Sequence, residues 1–331
     1  MNASLVITVD TEPDNQWTMP AGGRAADLSF RNTRGLGPLI DRLRMLGAPA
    51  TWLTSYSVAR DAESAHRLAR AASEGDEIGA HLHAWETPPF TPADSTAHPY
   101  IYEYEREVRL AKLRTLTRAL EDAFGATPGS HRAGRWGIDQ AGLQELESCG
   151  YRIDSSVVPG RDFSGSPGLG RGGPSFRAAL AGAPQRPWRE GGLWEVPLST
   201  TPIGVLGSGT LGAALARRFS HRTDLPGRLA GRLLGAAGLC RLIWVRPLVH
   251  ERHDQIRAAL SLLESGAPIL NVMFHSSEAF EGTSARTRTA ADVGRFYGDL
   301  EAVVGALLQT GRVTPRTLSG AVAALPDRAD R

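Results

Sequence analysis

The sequence predicts an α/β chain: a closed or nearly closed barrel of seven parallel strands with helices outside it. Three observations carry this reading. Seven short apolar segments recur along the 331 residues, and stretches with helical periodicity separate most of them. That alternation goes with parallel strands joined by crossover helices. The strands are apolar along their whole length, so both faces need cover, which a curled sheet inside a ring of helices supplies. Ionisable residues follow the strands directly, where the mouth of a barrel gathers them.

The elements follow in order. Leu5-Val6-Ile7-Thr8-Val9 is the first strand and runs into Asp10-Thr11-Glu12-Pro13-Asp14. Leu36, Leu39, Ile40, Leu43 and Leu46 recur at helical spacing, with Gly47 where a helix end favours glycine. Ala50-Thr51-Trp52-Leu53 is the second strand, residues 62–73 a helix, and Glu77-Ile78-Gly79-Ala80 the third strand, ending at His81. Val108, Leu113, Leu116, Leu120 and Phe124 mark a long helix, and residues 130–133 the fourth strand. Asp139 is placed to cap a helix holding Leu143 and Leu146. Residues 151–154, 193–198 and 269–274 complete the strands. Ile256, Leu260 and Leu263 mark a helix before the last strand. Val293, Phe296, Leu300, Val304 and Leu307 mark one after it, opened by a capping pair Thr289 and Asp292. The barrel is expected to occupy residues 1–325 as one domain. Its inserts are a Gly/Pro/Arg-rich loop at 160–192 and an apolar, arginine-studded segment at 203–249; a frayed tail follows at 326–331.

Composition narrows the function. The chain is 41% hydrophobic and 22% charged, a globular balance. Its 37 basic and 35 acidic residues leave a formal charge of +2, so no basic field marks nucleic acid as a partner. Cys149 and Cys240 are the only cysteines, which excludes a disulfide scaffold and a CxxC metal knuckle. Lys112 is the only lysine, which excludes Schiff-base or P-loop chemistry at any other lysine. No GxSxG or HExxH occurs. The GxGxxG match at 207–212 lacks the acid that a dinucleotide site places after a second strand. No secretion signal or spanning segment is read, so the expected location is cytoplasmic.

The strand ends carry the chemistry. They hold Asp10, Glu12 and Asp14; His81 and His83; His131, Arg132, Arg135 and Trp136; and His275 to Glu278. In an extended segment residues i and i+2 share a side, roughly 6.5 Å apart. His81 and His83 can therefore converge on one ion, and Asp10 and Glu12 share a side in the same way. Two histidines and a carboxylate are a common ligand set for a catalytic zinc that keeps a position open for water.

Val9-Asp10-Thr11-Glu12, then Glu77-Ile78-Gly79-Ala80-His81, then Arg132, then His275 after an apolar strand, resembles the NodB-type polysaccharide deacetylases of carbohydrate esterase family 4. The resemblance spans about residues 5–280. It implies a distorted (β/α) barrel of the NodB type with a divalent metal, usually zinc, that hydrolyses the N-acetyl group of amino sugars; related branches act on formamides. It implies Asp10 as catalytic base, Glu12, His81 and His83 as metal ligands, Arg132 as the group that orients the base, and His275 as general acid. Two positions depart from the family pattern. Thr11 separates acids that many members have adjacent, and Trp85 stands where many have the second histidine, with His83 as the substitute. Glu86 and Asp14 remain alternative ligands.

Amide hydrolysis needs an activated water, a polarised carbonyl and a proton for the amine, which this set would supply. Trp85, Arg135 and Trp136 are candidates to bind a sugar ring, with core packing the alternative for the tryptophans. The expected function is metal-dependent removal of an N-acetyl or N-formyl group from an amino sugar, lipid-linked or a soluble glycoside. A metal-free amidase of the same fold and an inactive carbohydrate-binding relative are the alternatives. Segment 211–246 alternates apolar residues with arginines. It reads as a helical insert packed on the barrel, or as a peripheral contact with an anionic membrane.

Overall fold

A computed structural model describes residues 2–16, 25–166, 168, 172–176, 186–207, 209–219 and 225–326. The eleven strands are β1 (Ala3–Thr11), β2 (Ala50–Thr54), β3 (Glu77–Leu82), β4 (Ser130–Ala133), β5 (Ile153–Asp154), β6 (Trp188–Glu190), β7 (Leu193–Glu195), β8 (Thr200–Ile203), β9 (Arg241–Trp244), β10 (Ile269–His275) and β11 (Val313–Arg316). Nine form one curled sheet in the order β10-β1-β2-β3-β4-β5-β7-β6, with β11 also on β1. Pairing is parallel throughout except between β6 and β7. One edge of β1 is shared: Ala3 to Val6 pair with β11, and Ile7 to Thr11 with β2.

Alternation along β1 divides its side chains between two environments. Leu5, Ile7 and Val9 pack outward against the helices, among them Leu39 and Leu43 of Gly37–Met45 and Phe296 and Leu300 of Ala290–Gln309. The inward residues form layers. Val6 joins Ile153, Val196, Ile269 and Leu318 in an apolar plug. Thr8 lies above it, hydrogen bonded to Asn271 at 2.9 Å. Asp10 is the top layer. On β10 the same face carries Ile269, Asn271, the apolar Met273 and then His275. Ascending the curled sheet, the interior passes from apolar to hydrogen-bonded to ionic.

Three sequence expectations need correction. The sheet has nine strands rather than seven, and β8 and β9 form a separate antiparallel pair. β6, β8 and β11 are only three or four residues long and carry charges or a proline, so none gives an apolar run, whereas β9 lies in the apolar run Leu242-Ile243-Trp244-Val245, which in sequence reads as part of a helical insert. The barrel is also not closed, because β7 and β10 do not pair. Ser199 bridges that gap, donating its backbone N–H to Asn271 O at 3.2 Å and accepting from Asn271 N at 2.8 Å on its hydroxyl. The insert at 160–192 is not wholly a loop, since β6 lies within it. The insert at 203–249 holds helices Gly209–Phe219 and Leu225–Ala236 as well as β9. Leu211, Leu229 and Leu233 are exposed there. Among the described residues no helix is long and apolar enough to cross a membrane. Of the tail expected at 326–331, residues 327–331 lie outside the described residues.

Local signals set the helix ends. Asp139 accepts from Gly142 N at 2.9 Å, and Thr289 with Asp292 forms a capping box. Asp61 caps Ala62–Ser73, accepting from Ser64 N at 3.1 Å and from the Ser64 hydroxyl at 2.6 Å. The hydrogen bond and charge of Arg34 help hold its carboxyl down at about 2. Arg34 is half-exposed, so the ion pair adds little and the cap carries most of the effect. Asp61→Ala should lower stability by about 1 kcal/mol in denaturant unfolding at neutral pH. The depressed carboxyl contributes stability above its unfolded value and loses it as pH falls through about 2. The difference between variant and parent should therefore shrink in acid.

Candidate active site

Strand register assembles the site. Asp10 is the partner of His275 between β1 and β10, and His81 the partner of Arg132 between β3 and β4. All four lie at C-terminal strand ends. Glu12 is one step beyond β1 on the face of Asp10. Asn32 fixes its backbone, donating to Glu12 O and to Ser276 Oγ at 2.8 Å each.

Arg132 is buried and holds Asp10. Its Nη1 donates to Asp10 Oδ1 at 2.6 Å, and Nη2 to Thr8 Oγ1 at 2.9 Å and Ser155 Oγ at 3.0 Å. Nε donates to Ser155 O at 2.7 Å. Asn271 ties the acceptors together, receiving from Thr8 and donating to Ser155 Oγ at 3.0 Å. A guanidinium bound on several sides cannot turn away, so Asp10 is aimed as well as neutralised. Burial pushes its carboxyl up, but the charges of Arg132, His81 and His275 outweigh this and the net direction is downward. Asp10 is ionised, with Oδ2 directed away from Arg132.

Glu12, His81 and His83 offer one ligand atom each, all within 4.8 Å of one another and all buried. His81 Nε2 is 3.2 Å and His83 Nε2 2.8 Å from Glu12 Oε2. His81 Nδ1 lies 3.0 Å from the backbone oxygen of Arg132, which can only accept, so Nδ1 carries a proton. In the neutral ring the Nε2 lone pair would face Glu12, an arrangement that a bound cation would satisfy; burial lowers the ring's pKa, but Asp10 and Glu12 outweigh it and the net direction is upward, and the imidazolium donates from Nε2 to Glu12 instead. Burial drives His83 down to about 4 despite its contact with Glu12, leaving a neutral imidazole, the form that binds metal. Burial raises the Glu12 carboxyl, but His275, His81 and His83 hold it well below the usual range. A neutral imidazole, a carboxylate and an oriented second imidazole fit a divalent ion of the zinc class. Neither Asp14 nor Glu86 belongs to this group. Glu86 is bonded to Ser57, and burial pushes it up to about 7.

The other side of the site is built on His275. Its Nε2 is 3.8 Å from Asp10 Oδ2 and 3.5 Å from Glu12 Oε1. Its Nδ1 lies 2.7 Å from Arg246 Nη2. A guanidinium only donates, so Nδ1 accepts and the proton of the neutral ring sits on Nε2, facing the carboxylates. Arg246 also donates to Glu278 Oε1 at 2.7 Å, and Glu278 Oε2 receives the His275 backbone N–H at 3.1 Å. Arg246 escaped the sequence reading, although Leu242-Ile243-Trp244-Val245 before it is an apolar run ending in a charge.

These groups open into a cleft of about 300 Å³ lined by Asp10, Glu12, His81, His275, Arg135, Trp136, Trp244 and Phe163, among others. Arg135 and Trp136 have φ of 53° and 62°, a left-handed backbone that non-glycine residues rarely adopt. Trp136 meets Trp244 edge-on at 5.5 Å and stacks with Phe163 at 6.4 Å. Trp85 does not join them. It is buried, with its ring 6.2 Å from that of His83, and is not among the described residues lining the cleft. β3 ends at Leu82, so the alternation that places His81 no longer governs residue 85.

Gly134 packs against the ligand group. A Cβ there would lie 2.4 Å from His83 Nδ1 and 2.7 Å from Leu82 O. Gly134→Ala should displace the His83 ring from Glu12 and weaken zinc binding roughly 10- to 100-fold in a metal titration, with an unchanged far-UV spectrum. Unaltered affinity would place His83 outside the ligand set.

No family model and no curated protein matches the sequence. Solved structures do match. The structure of a polysaccharide deacetylase from Mycobacterium smegmatis aligns with a TM-score of 0.51 at 15% identity, covering 100% of this chain and 95% of that one. A 4-alpha-glucanotransferase from Thermococcus litoralis aligns with a TM-score of 0.54 at 11% identity, covering 99% of this chain and 41% of that one. Similarity at this level concerns the backbone. The chain has the fold of the polysaccharide deacetylases.

Proposed function

We propose that the protein is a metal-dependent hydrolase that removes an N-acetyl or N-formyl group from an amino sugar. The observation that supports this most is the pairing of two buried groups on one cleft floor. Glu12, His81 and His83 offer a three-ligand set, and Asp10, held by Arg132, stands beside it. The fold shared with a polysaccharide deacetylase agrees with it.

Glu12, His81 and His83 would hold the ion, with zinc the best fit to one carboxylate and two imidazoles. When bound, a divalent ion polarises the amide carbonyl and lowers the pKa of water. Asp10 is the base. Arg132 occupies Oδ1, so Oδ2 receives the proton of the attacking water. His275 is the acid: its Nε2 proton faces the same floor, where it can pass to the departing nitrogen. Arg246 keeps that proton on Nε2 by donating to Nδ1. Trp136 and Trp244 present ring faces to a sugar, and Arg135 lines the same wall.

The division of labour between the two acids is testable. Asp10→Asn removes a base but no ligand. It should keep about the parent's metal content and lose roughly a hundredfold or more in turnover of an N-acetylamino sugar. Glu12→Gln removes a ligand charge, so metal content should fall and excess zinc should restore part of the activity. The opposite pattern, with Asp10→Asn empty and Glu12→Gln loaded, would exchange the roles.

A further inference from the structure

One wall of the cleft has a charge that amide hydrolysis does not require. Arg161, Arg246 and Arg286 all line it. Arg246 and Arg286 meet at one carboxylate oxygen, Glu278 Oε1, at 2.7 Å and 3.5 Å. Arg246 and Arg161 meet at one indole, with their guanidinium carbons 5.0 Å and 5.4 Å from the centre of Trp244. Two guanidinium groups thus share the Glu278 carboxylate, and a third meets one of them over the same indole.

We propose that this wall is an anion subsite: it binds a phosphate or carboxylate carried by the amino sugar whose amide is cleaved. The inference rests on the hydrolase reading of the same cleft and adds the substrate's charge to it. Guanidinium forks match the oxygens of either anion and keep their charge when partly buried. Like charges crowded into a low-dielectric wall oppose folding, and an incoming anion relieves that repulsion. The groups record the crowding. Burial, then Arg246 and Arg286, push Arg161 down to about 10. Burial, then Arg161, Arg241 and Arg286, push nearby His250 down to about 4.

The position of the wall limits where the anion sits. Arg246 touches both the wall carboxylate and His275, whose Nε2 faces the reacting floor. An anion held there is on the sugar bearing the amide or on its immediate neighbour. Trp244 lies beneath two of the guanidinium groups and holds them at the cleft wall.

The test uses the zinc-loaded protein and three probes: an N-acetylhexosamine 1-phosphate, an N-acetylhexosamine bearing a carboxylate, and a neutral N-acetylhexosamine methyl glycoside. At least one anionic probe should show kcat/KM tenfold or more above the neutral one, and whichever is preferred identifies the anion. Arg286→Gln, at a side chain 48% exposed, should reduce that preference at least fivefold through KM, with zinc content unchanged; Arg286→Lys should recover part of it. Equal turnover of neutral and anionic probes would overturn the subsite while leaving the hydrolase standing. If no probe turns over, the N-acetyl form of the hydrolase reading fails, and calorimetry with inorganic phosphate decides the wall. Weaker binding to Arg286→Gln than to the parent, both zinc-loaded, supports it, and equal binding overturns it.

Discussion

Two carboxylates buried side by side at the end of one strand, Asp10 and Glu12, are the constraint on which the rest of the interior depends. Each buried ion costs several kcal/mol unless it is paired and hydrogen bonded. For Asp10 the compensation is a fixed guanidinium, and Arg132 needs its own acceptors, which Thr8, Ser155 and Asn271 provide. That explains the polar layer between the apolar plug and the cleft. For Glu12 the partners are two imidazoles, one neutral and one with its outward nitrogen committed to a backbone carbonyl. His81, raised by Asp10 and Glu12, can supply a proton to this carboxylate, and a bound cation would supply the same charge while using the lone pairs of both rings.

The site, rather than the fold, carries the functional argument. The same backbone arrangement aligns with a deacetylase and with a glucanotransferase, whose chemistries differ. What separates such proteins is which side chains the strand ends present. Here one side of the cleft floor offers a ligand group and a held base. The other offers a histidine whose proton is directed inward by Arg246 and Glu278. That second side is also where positive charge collects. Arg246 therefore links His275, the proposed acid, to the wall proposed to recognise the substrate.

Much of this was legible in the sequence, for a physical reason. β1, β3 and β10 are long enough for alternation to fix which side chains point inward, so Asp10, His81 and His275 could be placed before any coordinates. β6, β8 and β11 were not legible, since three or four residues with a proline or several charges give no apolar run. Nor was the open barrel, because pairing between β7 and β10 depends on strand lengths and on Ser199, not on periodicity. Arg246 was hidden inside a stretch read as one amphipathic unit, although only its last part is a strand. Arg161 and Phe163 come from an irregular segment where spacing carries no information. Trp85 was named for lying beside the histidines, with core packing as the alternative; it is buried against His83 and does not line the cleft.

If a divalent ion completes the buried Glu12, His81 and His83 group, as proposed, zinc should stabilise the folded protein through it. Thermal unfolding of the metal-stripped protein against increasing zinc tests it most directly. A ligand that binds only the folded state stabilises it by RT ln(1 + [L]/Kd), about 2.7 kcal/mol at a hundred times Kd. The account predicts a midpoint that climbs steadily with zinc for the parent and stays nearly flat for His81→Ala. A parent midpoint that zinc leaves unchanged, or a rise that His81→Ala reproduces in full, would contradict it.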